Sequence, residues 1–190
     1  MTQGFGALPA VVLSLGLSAH GIAAQDLSAF ASLKEPRIRT MPAQKMLVVE
    51  LKGDPNTAGQ GGFSLLFKTF FSLPGVMMAA PRARWLSPLD SPKENWVGLY
   101  ALPLPDSVAG LPAGTTGAKI EVWQYGEVAE ILHLGGYDKE PPTVEKLLKY
   151  IADKGYTIAG PHEEEYLKGP GMAPGPDDYW TIIRYQVKRK

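Results

Sequence analysis

The chain has 190 residues, 45% of them apolar and 20% charged, with 21 glycines, 17 prolines and no cysteine. That length supports one sizeable core, or two small halves sharing one, and the composition excludes wholesale disorder. Basic and acidic residues balance at 19 each, so the electrostatic surplus that drives nucleic-acid binding is missing. The absent cysteines remove disulfides, thiolate metal sites and thiol nucleophiles.

Residues 1–24 carry no Asp, Glu, Lys or Arg, and Phe5 to Ala24 is apolar and small. This stretch reads as a secretory signal with small residues at Ala23 and Ala24, although the basic residue that usually precedes such a core is absent. An uncleaved membrane anchor and a disordered start are the alternatives. Export predicts a periplasmic or secreted protein with no membrane span in the mature chain; without cleavage the chain is cytoplasmic. Residues 25–35 read as a tether.

The first half, residues 36–105, opens with short strands over Arg37–Thr40 and Lys45–Leu51, the second closed by Gly53-Asp54-Pro55. Thr57 to Gly62 reads as loop. Phe63, Leu66, Phe67 and Phe70 then place four apolar side chains on one helical face, ended by Pro74-Gly75. Val76–Ala80, Arg82–Leu86 and Trp96–Leu102 read as strands. Residues 106–118 are a Gly/Pro/Thr connector.

The second half, residues 119–190, repeats that order. Strands are predicted over Lys119–Gln124 and Gly126–Leu134. The turn Gly135-Gly136-Tyr137 leads through Pro141-Pro142 to a helix with Val144, Leu147, Leu148 and Ile151 on one face. Tyr156–Ala159, His162–Leu167 and Trp180–Val187 follow as strands. Gly53 falls opposite Gly135, Pro81 opposite Pro161, Trp85 opposite Tyr166 and Trp96 opposite Trp180, the spacing of an internal duplication. The predicted fold is α+β: duplicated strand-helix-strand-strand units with pseudo-twofold symmetry. Antiparallel sheets carry one main helix each and leave a central cleft.

The chemistry concentrates in His162-Glu163-Glu164-Glu165-Tyr166. On a strand these side chains alternate between two faces, and the bend at Gly160-Pro161 leaves open which parity faces the cleft. One reading is a solvated edge strand guarded by charge. The other is a carboxylate among aromatic rings, able to receive a lipophilic cation or to act as acid or base. His133 reads as a structural histidine. His20 lies in the leader, and no metal motif, phosphate loop or hydrolytic triad is present.

The segment from Ile131 to Leu167, closed by Trp180–Lys188, resembles the GyrI-like small-molecule-binding domain, found also as the effector-binding part of multidrug-responsive regulators. The likeness rests on His133, Gly135 and Tyr137 of the turn, on the helix end at Lys154-Gly155-Tyr156, and on Glu164 and Tyr166 of the last acidic strand. It is good over 119–190 and looser over 36–105. Gly136 stands where the family often has proline, and Glu163 and Glu165 make the strand unusually acidic.

The resemblance implies a cleft glutamate at Glu164 with Tyr166 beside it. Trp85, Tyr137 and Tyr100 are the other candidate walls; Tyr100 reads first as core packing, Tyr137 equally as a lid over the core, and Trp85 equally as core. It implies binding of a hydrophobic or cationic small molecule, with no cofactor, no metal and no nucleic acid. Hydrolysis of strained electrophiles by the same Glu164 and Tyr166 is the enzymatic alternative. A protein-binding inhibitor, unsuited to an exported chain, and a haem binder like the SOUL proteins are the remaining readings.

Overall fold

A computed structural model describes residues 27–88 and 90–190; the predicted signal lies outside them. The strands are β1 (Arg37–Met41), β2 (Gln44–Lys52), β3 (Arg82–Trp85), β4 (Val97–Pro103), β5 (Lys119–Trp123), β6 (Gly126–Leu134), β7 (Tyr156–Lys168) and β8 (Trp180–Arg189). Helix α1 (Pro55–Phe71) follows β2, and α2 (Pro141–Asp153) follows β6. Among the described residues no helix is long and apolar enough to cross a membrane.

All eight strands join in one antiparallel sheet, ordered β1-β6-β8-β7-β3-β4-β2-β5. The order is a palindrome: exchanging β1 with β5, β2 with β6, β3 with β7 and β4 with β8 returns the same sheet. The duplication is therefore a pseudo-twofold whose axis passes between β3 and β7. Each half also lends its first strand to the other, β1 to β6 and β5 to β2.

The short links force the sheet to curl. β5 and β6 are six strand positions apart, yet only Gln124 and Tyr125 separate them; Pro42 and Ala43 likewise join β1 to β2. Six steps across a flat sheet measure about 29 Å, whereas such a link reaches about 11 Å at most. The edges must bend toward each other, closing the inner face into a barrel-like interior. In keeping with this, the guanidinium of Arg84 on β3 lies 3.9 Å from the centre of the Trp123 ring at the end of β5.

The helices lie on the outer face, each over its own half. Leu66 and Phe70 of α1 pack on Leu47, Val49 and Leu102, while Val144, Leu147 and Ile151 of α2 pack on Ile131, Ile183 and Val187. Between the helices the floor is the β3–β7 joint. Gly53 and Gly135, at φ 107° and 122°, turn the chain out of β2 and β6 in equivalent places.

Several expectations need correction. Thr57 to Gly62 is helical, not loop: Pro55 starts α1, and Thr57 and Ala58 donate backbone bonds to the Asp54 carbonyl. Gly62 is there because a Cβ would strike the Leu51 side chain beneath it. Val76–Ala80 is not a strand; Val76 packs on the core while Met77 and Met78 are exposed. Tyr156–Lys168 is one strand, with a register shift between Ile158 and His162 absorbing the Gly160-Pro161 bend. Trp96 answers Tyr179 and not Trp180, since their carbonyls accept equivalent bonds from Gly53 and Gly135. In the tether, Leu27–Leu33 forms a 3-10 helix whose Leu33 is buried against Leu132, Leu167 and Ile182.

Candidate ligand-binding site

The acidic segment lies in β7, at the centre of the sheet, so the edge-strand reading fails. Register sets the parity. His162 pairs with Trp85 and Tyr185, and Glu164 with Ala83 and Ile183, which turns His162, Glu164 and Tyr166 to the helix face. Glu163 and Glu165 turn into the barrel.

Inside the barrel, buried carboxylates meet guanidiniums. Arg184, 1% exposed, bonds Glu130, Glu163 and Glu165. Arg84 pairs with Glu163 at 2.7 Å, Arg82 with Glu165 at 3.4 Å, and Arg37 and Arg39 with Glu130. Tyr125 donates to Glu163 at 3.1 Å and accepts from Arg82 at 2.7 Å. Burial pushes its phenol up to about 12. The basic pair of β3 thus answers the acidic pair of β7 across the pseudo-axis.

Glu164 is treated differently. It is 0% exposed, and its carboxylate accepts from the Trp85 indole at 3.0 Å, His162 Nε2 at 3.0 Å and the Tyr166 hydroxyl at 2.7 Å. A carboxylate only accepts, so His162 presents an N–H at Nε2, and its Nδ1 shares a hydrogen bond with the Tyr185 hydroxyl at 2.8 Å. The ion pairs of the described residues give Glu164 no lysine or arginine. Burial, and then the charge of Glu164, push the phenols of Tyr100, Tyr137, Tyr166 and Tyr185 upward, so all four stay neutral.

Aromatic rings enclose the carboxylate. Tyr166 meets Tyr137 edge-on at 5.7 Å and Phe63 at 6.1 Å; Tyr137 also meets Tyr179 at 5.3 Å. Trp85 and Tyr100 form the wall toward the first half, 5.8 Å apart, with Phe63 at 4.6 Å from Tyr100. Tyr100 is buried, while Tyr137 and Tyr166 are half-exposed and close the carboxylate from solvent. The five residues singled out in the sequence therefore lie together.

One residue escaped the sequence reading. Glu140 precedes α2 as its N-cap residue and is 3% exposed. An acidic N-cap normally accepts from the amides of the first helical turn. Here Pro141 and Pro142 have no amide hydrogen, and the Thr143 amide bonds the Glu140 backbone carbonyl at 2.8 Å. The side chain makes no capping bond, and its Oε1 is buried without a partner. Burial, and then the charge of Glu164, raise its carboxyl well above the ordinary range.

Glu140, His162 and Glu164 bring one ligand atom each within 4.8 Å of one another, a set able to hold a metal ion, although both imidazole nitrogens are bonded to protein groups. No sequence motif announces this trio; the signal that could have found it is an acid placed just before Pro-Pro. His133 behaves as a structural histidine. It joins Thr143 Oγ1 at 2.9 Å and the Gly136 carbonyl at 3.1 Å, and burial lowers its pKa.

Comparison with known protein families matches none of them, and comparison with curated proteins finds no match. Similar solved structures include a hydrolase from Listeria innocua, 20% identical, covering 85% of this chain and 96% of that one with a TM-score of 0.70. An uncharacterized conserved protein from Listeria innocua is 21% identical over 85% and 96% of the two chains, with a TM-score of 0.68. The C-terminal domain of EcmrR is 12% identical over 82% and 98%, also with a TM-score of 0.68. At these identities the likeness is one of fold: a duplicated, curled sheet with paired helices on its outer face, which is the GyrI-like fold.

Proposed function

We propose that the chain is a binding domain in its own right, which takes hydrophobic organic cations between its halves. Glu164 is the charge partner, and Tyr166, Trp85, Tyr137 and Tyr100 are the walls. One contrast carries this reading. Inside the barrel each buried glutamate is matched by arginine, whereas among the described residues Glu164 is bonded by an indole, an imidazole and a phenol and paired with no lysine or arginine. An unmatched buried charge costs several kcal/mol unless something compensates it. A cation seated against aromatic faces supplies that compensation. The apolar leader adds export to the proposal.

Tryptophan fluorescence tests the binding. Titration with a lipophilic cation should quench saturably, because Trp85 donates to Glu164, and Glu164→Gln should remove most of the affinity. Saturable binding that Glu164→Gln leaves unchanged would end the role given to this carboxylate.

A second reading has a specific observation behind it. Glu164 as base, the Tyr166 phenol and the Glu140 carboxyl, which burial and the charge of Glu164 raise above its ordinary range, form an acid–base set in a closed site. That set suits hydrolysis of a strained electrophile, with Glu164 activating water and Tyr166 polarising the leaving group. A similar structure bears the name hydrolase. Turnover lost in Glu164→Gln would select this reading; silence across a panel of electrophiles would leave binding alone.

A further inference from the structure

We propose that Glu140, His162 and Glu164 form a binding site for a divalent transition-metal ion, zinc foremost. This goes beyond the organic-cation reading and does not depend on it, although the two ligands compete for Glu164. Two independent observations point to the site. One ligand atom from each of the three residues lies within 4.8 Å of the others. Glu140 is also buried by more than nine-tenths, and its Oε1 has no partner among the described residues. The two prolines after it carry no amide hydrogen, so the start of α2 gives this side chain nothing to cap.

The existing bonds need little change to admit a metal. His162 Nε2 and Glu164 Oε1 stand 3.0 Å apart, bridged by a hydrogen. Two ligand atoms at about 2.0–2.1 Å from a tetrahedral zinc lie roughly 3.3 Å from each other, so a metal takes the place of that hydrogen after a shift of about 0.3 Å. The imidazole hydrogen then sits on Nδ1 and is donated to the Tyr185 oxygen, which stands at 2.8 Å and orients the ring from behind. Trp85 and Tyr166 keep their bonds to Glu164, at 3.0 and 2.7 Å, and fix it as a ligand. Glu140 supplies the third atom.

The donor set selects the metal. One imidazole and two carboxylates, in a chain without cysteine, suit zinc ahead of manganese. Calcium and magnesium, which take six or more oxygen ligands, are poorly served. Charge agrees: two carboxylates balance a dication, and the ion pairs of the described residues bring no lysine or arginine to either. Three protein ligands leave the fourth position to water or to a bound molecule.

Calorimetric titration of the full, untagged chain with zinc, after stripping with a chelator, tests this. It should find one zinc per chain, with manganese bound about tenfold or more weakly. Glu140→Gln should cost about 100-fold or more in zinc affinity. X-ray absorption of the unmodified protein carrying one equivalent of zinc makes the result independent of that variant's folding: it should show a single imidazole among oxygen ligands. Bound zinc should also weaken tetraphenylphosphonium, because both need Glu164. No zinc bound, zinc bound equally by Glu140→Gln, or unchanged tetraphenylphosphonium affinity in the zinc-loaded chain each overturns the metal site and leaves the organic-cation site standing. Zinc bound as described, with no tetraphenylphosphonium bound to the stripped chain, upholds the metal site and ends the organic-cation reading.

Discussion

Glu164 is a residue that stability alone would not keep. Its carboxylate sits at zero exposure, held by an indole, an imidazole and a phenol. Those bonds satisfy its lone pairs, and among the described residues no lysine or arginine pairs with it. Glutamine has the same shape, still accepts from Trp85 and His162, and can donate to the Tyr166 oxygen. Glu164→Gln should therefore raise stability by about 1 kcal/mol or more, a gain of roughly 2–4 °C in thermal midpoint, while removing most of the cation affinity. Thermal unfolding beside the fluorescence titration checks both; a lower midpoint would mean that the charge is already compensated in the empty protein. At this scale Glu164 and Tyr166 were legible in sequence because an acid beside an aromatic in a strand is a local pattern. Their orientation was not, since it depends on the register shift before His162. Glu140 was invisible for another reason: its isolation comes from two prolines and from a carboxylate more than twenty positions away.

The helices show where local reading fails for physical reasons. The run Ala58-Gly59-Gln60-Gly61-Gly62 contains the worst helix formers short of proline, yet it is the first half of α1. Pro55 and the packing of Phe63, Leu66 and Phe70 carry the helix through it. The glycines are not equivalent. A Cβ on Gly61 would meet nothing within 4 Å, whereas one on Gly62 would strike Leu51. Gly61→Ala should stabilise by about 0.5–1 kcal/mol through helix propensity. Gly62→Ala gains the same propensity but overpacks the helix–sheet contact, typically costing about 1–3 kcal/mol, and should come out destabilised. Denaturant unfolding of the two variants separates these effects, and an equal gain in both would show that Leu51 gives way freely. The second helix was legible from end to end because its apolar stripe meets no glycine before Gly155, although Leu148 of that stripe is exposed.

At the scale of the whole molecule, the duplication was legible as shared breaks, and the palindromic sheet explains why those breaks recur. The curl and the strand exchange were not legible, because they come from which strands the short links join. The two faces of this curled sheet should also leave opposite marks on stability. In the barrel interior, burial would raise the carboxyl of Glu130, but Arg39, Arg184 and Arg37 override it and hold it below its ordinary value of 4.5. A depressed carboxylate contributes stability above the unfolded value and loses it as pH falls toward the folded one. On the outer face, the carboxyl of Glu140 is raised well above 4.5. Its contribution is complete below the unfolded value and declines as pH rises toward the folded one, by up to about 1.4 kcal/mol per pH unit. Stability should therefore peak on the mildly acid side, with an acid limb from the barrel and a second limb, toward neutral pH, from the cleft. Denaturant unfolding across about pH 3 to about pH 8 should show both in the unmodified chain. Glu140→Gln should flatten the neutral limb and leave the acid limb in place. If the unmodified protein keeps constant stability through the neutral range, Glu140 ionises freely in the fold and the cleft is wetter than its aromatic walls imply.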